Sequence, residues 1–287
     1  VRAAAAISRA SVQGDAKHAQ ALLFAPSRVR PGEYHFSVGT AGSTSLVLQT
    51  VLPALVLAEG PSHLTLEGGT HNPLAPPFDF LHHTYLPLLN RMGPRVTAHL
   101  ERPGFAPRGG GRLRVDIQPG ERLRPMELLK PGAIRRQYAQ VLLAHLPRHI
   151  GRRELAVIQR GLGYVQSQLQ IQPMDQAYGP GNVVNVIIES EQITECFSAF
   201  GQPGLPAEQV AQQLVQQVRR YLRAGVPVSD HLADQLLLPL ALAGGGRFKT
   251  LEPSSHLLTN IDVIRAFLPI DIQLEELAHD VWQLRLS

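Results

Sequence analysis

The sequence predicts an α/β (α+β) protein: a large domain of repeated helix/strand units, interrupted by a smaller inserted α+β domain. Two observations carry this reading. One helix–strand design occurs twice, 186 residues apart, which is the mark of an internal repeat. A packet of strands and helices with its own periodicity separates the two copies. Residues 1–130 and 226–287 are assigned to the large domain and 131–225 to the insert.

The first copy is the apolar helix Leu46 to Ala58, in which Gln49 stands four residues before Pro53. The second begins at Asp230, with Gln235 four residues before Pro239. Asp230 can cap this second helix, and Gly244-Gly245-Gly246 can end it. Each helix leads into a short strand that finishes in polar residues near a histidine. These are Gly68-Gly69-Thr70-His71-Asn72 in one copy and Ser254-Ser255-His256 in the other. The strand Arg247 to Leu251 is expected to end in a turn that presents His256, and on the Gln–Pro alignment Thr70 falls opposite His256. Helix starts carry free N–H groups and partial positive charge, so paired units can aim them at one ligand.

The remaining elements follow in order. The chain opens without a Met, inside what reads as a helix, and residues ahead of Val1 are expected to be missing. Ala21 to Phe24 and Tyr34 to Val38 read as strands, Asp79 to Leu89 as a helix, and Val96 to Leu100 and Leu113 to Ile117 as strands. Between the last two lies a glycine-rich turn carrying Arg108, which is either an anion nest or a plain hairpin loop. In the insert, Tyr138 to Ala144, Val165 to Ile171, Val183 to Glu189 and Thr194 to Phe200 read as strands. Arg148 to Gly161 and Pro206 to Arg223 read as helices, the second with Val210, Leu214, Val218 and Leu222 on one face. Val263 to Phe267 belongs to a final helix and Val281 to Leu286 to a closing strand.

Composition narrows the function. At 44% hydrophobic and 17% charged, the 287 residues can bury a sizeable core. No apolar run is long enough to span a bilayer, so no membrane partner is expected. The single cysteine, Cys196, is read as an apolar filler; it permits no internal disulfide, fits a reducing compartment and gives a cytoplasmic expectation. The net charge of +4 hides an asymmetry: residues 1–160 hold 20 Lys+Arg against 10 Asp+Glu, and residues 161–287 hold 7 against 13. Eight arginines fall between Arg91 and Arg124. Arginine forks suit phosphate, so a phosphate-bearing or nucleic-acid partner competes with a merely solvated basic face.

Four phrases in order, Ala41-Gly42-Ser43-Thr44 to Pro53, Gly68-Gly69-Thr70-His71-Asn72-Pro73-Leu74-Ala75-Pro76-Pro77, His231-Leu232-Ala233-Asp234-Gln235 and His256-Leu257-Leu258-Thr259-Asn260, together resemble the RNA 3′-terminal phosphate cyclase family. The resemblance covers essentially the whole chain. It implies repeated α/β units related to those of enolpyruvyl transferases, interrupted by a small α+β domain. It also implies ATP-dependent conversion of an RNA 3′-phosphate end to a 2′,3′-cyclic phosphate. His256 matches the family's nucleophile, which takes AMP on its imidazole. Gln49 and the run His231, Leu232, Ala233, Asp234, Gln235 match ATP-binding positions. Pro76 and His231 match the pair that sandwiches adenine, with Phe80 close by; position 231 is a tyrosine elsewhere in the family and a smaller ring here. Arg108 is the candidate contact to the RNA end. The family also carries a glycine-rich N-terminal segment with a metal-linked Glu and basic residues, and this chain starts after it. Mg²⁺ is expected on the triphosphate, and no metal ligand is assigned.

The chemistry agrees with those roles. A free imidazole titrates at about 6.5, so at cellular pH one nitrogen keeps a lone pair able to attack the α-phosphorus. Alignment and charge neutralisation supply most of the catalysis. Asp234 is either a nucleotide contact or an orienter of His256. A non-catalytic cyclase-like protein serving RNA binding or ribosome assembly is the alternative, and it would lack the nucleophile. An enolpyruvyl transferase would need more than Lys17, Lys130 and Lys249 as its lysines. A bare nucleic-acid module would leave the paired Gln–Pro helices unexplained.

Overall fold

A computed structural model describes residues 1–287. The chain opens with α1 (Arg2–Ser8), β1 (Ser11–Gln13) and β2 (Leu23–Ala25), the two strands pairing antiparallel. The first full unit runs β3 (Glu33–Ser37), α2 (Thr44–Leu55), β4 (Ser62–Gly68), a long helix, β5 (Arg95–Arg102) and β6 (Gly111–Gln118). That long helix consists of α3 (Phe78–Phe80), a π turn (Leu81–Tyr85) and α4 (Leu86–Arg91). The second unit begins with β7 (Met126–Leu128), breaks off, and resumes at α7 after the insert.

The insert comprises β8 (Ile134–Ala144), α5 (Arg148–Leu162), a 3₁₀ turn (Gln166–Gln168), β9 (Leu169–Pro173), β10 (Gly181–Ser190), β11 (Thr194–Phe200) and α6 (Ala207–Ala224). The second unit then finishes with α7 (Asp230–Leu242), β12 (Gly246–Thr250), α8 (Ser255–Phe267), β13 (Ile272–Ala278) and β14 (Val281–Leu286).

The repeat is visible in the sheets. The first unit's sheet has the order β3-β4-β6-β5 and the second's β7-β12-β14-β13. In both, the first two strands are parallel, as a crossover helix requires, and the last two form an antiparallel hairpin. The insert enters the second unit between its first strand and first helix, where the first unit has only residues 38–43. Its own sheet runs β9-β8-β10-β11, with α5 and α6 packed on one face over Val141, Val184, Val186 and Phe197.

Both crossover helices are built alike. Ser43 accepts from Leu46 N at 3.2 Å and Ser229 from Leu232 N at 3.4 Å, so each helix starts on a serine cap. The expected cap Asp230 is instead the first helical residue, and its Oδ1 accepts from His231 N at 2.9 Å. Pro53 and Pro239 lie inside the helices, where each lacks the N–H that would bond the carbonyl four residues back, on Gln49 and Gln235. The two prolines line one small gap in the main core with Leu52 and Tyr85. No helix is long and apolar enough to cross a membrane.

Two local readings change. The predicted strand Val165 to Ile171 starts only at Leu169, because Gln168 folds back to accept from Val165 N and to donate to Gln137 O. His256 is not in a turn after β12; it is the second residue of α8, capped by Ser254, which accepts from Leu257 N at 3.2 Å.

Candidate functional site

The site is built where the two repeat helices meet. Gln49 Nε2 donates to Gln235 Oε1, so the two equivalent side chains join α2 to α7. The link lies six residues into each helix, counted from its cap, and not at the paired starts. Both glutamines are half-buried. One turn before Gln235 the exposed His231 stands at the start of α7, whereas Leu232 and Ala233 are wholly buried and can serve a ligand only through backbone and shape.

The nucleophile candidate is fixed from the other side. Asn260, one turn after His256 on α8, donates through Nδ2 to Asp234 Oδ1 at 2.9 Å and to Asp234 O at 3.1 Å. This bond clamps α8 against α7 and leaves His256 exposed at the first turn. Asp234 makes no hydrogen bond to His256; its carboxylate holds the helix that carries it.

Three loops of the first unit meet at the start of α2. Ser43 bridges Gly69, and Thr44 N and Oγ1 both donate to Gly69 O. Gly104 N donates to Thr70 Oγ1, and Asn72 Nδ2 donates to Ala41 O. His71 sits at the centre with no exposed side-chain surface: Nδ1 lies 2.7 Å from Thr70 Oγ1 and Nε2 2.9 Å from Asp79 Oδ2. Burial pushes the Asp79 carboxyl up, but the His71 hydrogen bond and charge outweigh it and hold the group below the usual carboxylate range. Pro76 is half-buried in this same loop, residues 69–77. Phe80 is only 5% exposed and belongs to the main core.

The glycine-rich turn is the hairpin between β5 and β6. A side chain at Gly104 would meet Gly68 O, and one at Gly109 would meet Thr40 O, each at 2.4 Å, so these glycines serve close packing of backbones. Arg108 is exposed there, with its aliphatic stem against Gly179 of the insert. The arginine-rich span is partly neutralised. Arg112 and Arg114 face Glu101, Arg91 donates to Gln192 O, and Arg102 lies 4.1 Å from the centre of the Tyr178 ring. No three His, Cys, Asp or Glu side chains converge to cage a metal ion. Cys196 is buried, and burial pushes its thiol up.

One residue that sequence reasoning missed holds the start of α7. Glu195, on β11 of the insert, is 1% exposed; its Oε1 accepts from Ser229 N at 2.6 Å and its Oε2 from Ser229 Oγ at 3.1 Å. Burial pushes this carboxyl up to about 8. A lone glutamate in a strand gives no signal of such a partner. The two cap serines stand at the repeat spacing of 186, but the sequence alone points to Asp230 as the second cap.

The exposed imidazole of His256 thus lies on a helix clamped to α7, whose start carries the polar His231 and Asp234. The family described as RNA 3′-terminal phosphate cyclase matches residues 1–274. Similar proteins of that name include one from Ectopseudomonas mendocina, 51% identical over 272 residues (95% of this chain, 80% of the relative). Another, from Koribacter versatilis, is 48% identical over 276 residues (96% and 78%). A third, from Salmonella agona, is 46% identical over 287 residues (100% and 83%). The chain belongs to the RNA 3′-terminal phosphate cyclase family of enzymes.

Proposed function

We propose that this protein uses ATP to convert an RNA 3′-terminal phosphate to a 2′,3′-cyclic phosphate, with His256 as the temporary carrier of adenylate. The observation that supports this most directly is the exposed His256 at the first turn of α8, held to α7 by the Asp234–Asn260 clamp. In this reading Gln49, His231, Asp234 and Gln235 with the backbone of Leu232 and Ala233 hold the nucleotide. Pro76 and His231 flank adenine, Phe80 supports that wall from the core, and Arg108 meets the RNA end. Residues 131–225 act as a domain that braces the start of α7. Mg²⁺ arrives on the triphosphate as part of the substrate.

Three displacements follow. The His256 lone pair attacks the α-phosphorus, and the bond to the β-phosphate oxygen breaks, releasing pyrophosphate. An oxygen of the RNA 3′-phosphate then attacks that phosphorus, and the P–N bond breaks, restoring the imidazole. Finally the neighbouring 2′-OH attacks the 3′-phosphorus, losing its proton, and AMP leaves with the bridging oxygen. Each step is an in-line transfer in which the protein aligns groups and offsets charge.

The test is incubation with α-labelled ATP and Mg²⁺. Acid-labile, base-stable label on the wild type and none on His256→Ala is the expected result. An unlabelled wild type that still binds RNA ends would favour the non-catalytic reading.

A further inference from the structure

We infer that the cleft between the β5–β6 hairpin and the insert is a second binding site, which takes a nucleobase at the RNA 3′ end. The inference rests on the RNA-end reading above. The cleft has a volume of about 480 Å³, within the range of about 300–1,000 Å³ typical of ligand pockets. Phe105, Pro107, Pro180, Phe200, Pro203 and Pro206 give it flat apolar walls.

Glu154 and Asn182 also line it, at 0% and 6% exposure. Asn182 Nδ2 donates to Glu154 Oε1 at 2.6 Å. That bond leaves Glu154 Oε2 and Asn182 Oδ1 as two neighbouring buried oxygens without partners. Buried polar atoms are rarely left unmade; above about pH 7, where the Glu154 carboxyl is ionised, both are acceptors and the pair calls for a ligand with N–H donors.

The charges exclude other classes. Arg153, at the rim, is engaged by Glu208 through bonds of 2.7 and 2.6 Å, so no unpaired cation on the lining invites an anion. An aliphatic ligand would leave both acceptors unmet, and an indole would satisfy one. A base with two N–H donors on one edge satisfies both and stacks on proline and phenylalanine faces; guanine, with adjacent N1–H and N2–H donors, fits best.

Position supports the same ligand. His71 and Pro73 of the cleft belong to the loop that carries Pro76, and Pro107 adjoins Arg108. A terminal base in the cleft would thus leave its phosphate beside the hairpin arginine.

The experiment measures equilibrium binding of the full chain to two short RNAs ending in 3′-phosphate. One has guanine at the last position and the other an abasic ribose. The wild type should bind the abasic end about tenfold more weakly, the size of one stacked base. Asn182→Leu removes an acceptor, and Ile150→Trp fills the mouth from the first turn of α5 should the first variant fail to fold. In Ile150→Trp the guanine end should bind as weakly as the abasic one, and in Asn182→Leu the difference between the two RNAs should shrink. Equal Kd for the two RNAs in the wild type, or a base effect undiminished in the folded variants, overturns the inference. Self-adenylylation of the wild type, measured alongside, reports separately on the cyclase reading.

Discussion

The two repeat units share one order of elements and one sheet order, yet they spend their second helix differently. The second residue of that helix is Asp79 in the first unit and His256 in the second. Asp79 is buried and bonded to His71, and the loop before it, residues 69–77, is tied into two others. The matching connection in the second unit is only residues 251–254, and His256 is left exposed. Equivalent backbone positions thus serve a structural clip in one copy and a presented imidazole in the other. Position in a fold does not assign a role; the length of the preceding loop decides what can cover the helix start.

The sharpest way to break this comparison is to truncate both histidines. His71→Ala removes a ring that bridges Thr70 and Asp79 and leaves a buried carboxylate unpaired, so it should cost about 3–5 kcal/mol of stability. His256→Ala should change stability by less than about 0.5 kcal/mol while abolishing adenylate transfer. Urea unfolding of the two variants checks this, and equal costs would erase the distinction between clip and presented group.

The helix caps come next. Glu195→Ala leaves the buried Ser229 N–H without its acceptor and should cost about 1–3 kcal/mol, with a raised KM for ATP because the start of α7 loosens. Ser43→Ala, the cap of the first unit, should cost about 1 kcal/mol. Glu195→Gln keeps an acceptor and should retain the KM. A Glu195→Ala variant with wild-type KM would show that the insert's hold on the start of α7 does not serve ATP use.

These contrasts also mark what the sequence could reveal. α2, α5, α6 and α7 were legible because Gln–Pro spacing and helical periodicity are local. The spacing of 186 holds for caps, glutamines and prolines, and then fails: Thr70 ends in a loop and His256 on a helix, because the connections differ in length. β7 escaped notice because its three residues are a strand only by pairing with β12, far along the chain. β13 was hidden by Gln273, Glu275 and Glu276, which give it little apolar alternation. Of the site, the residue types around His256 were readable, but the Asp234–Asn260 clamp and the Glu195 brace depend on tertiary approach.

A smaller effect separates the insert from the repeat units by pH. Burial raises Glu195 from 4.5 to about 8 and Glu154 from 4.5 to about 7. Between the unfolded and folded values, the folded chain holds protons that the unfolded chain has lost. Stability therefore falls as pH rises through that window, from about 4.5 to 7 for Glu154 and to 8 for Glu195. Glu195→Gln and Glu154→Gln should each flatten the slope within their own window. Thermal melts across pH 5 to 9 read it, and parallel slopes in wild type and variants would mean that these carboxyls are ionised in the folded state.

A modest stability change tests the clamp itself. Asn260→Ala removes a part-buried bond to Asp234 and should cost about 0.5–1.5 kcal/mol. Because the bond lies one turn from His256, its loss should slow self-adenylylation more than it weakens ATP binding. Asp234→Ala alone, and with Asn260→Ala, completes a double-mutant cycle. If the clamp positions His256, the two rate losses overlap and the double variant is little slower than the slower single one. Losses that simply multiply would mean that Asp234 acts on the nucleotide independently of Asn260, and the alignment of His256 would then have to come from the serine-capped start of α8 alone.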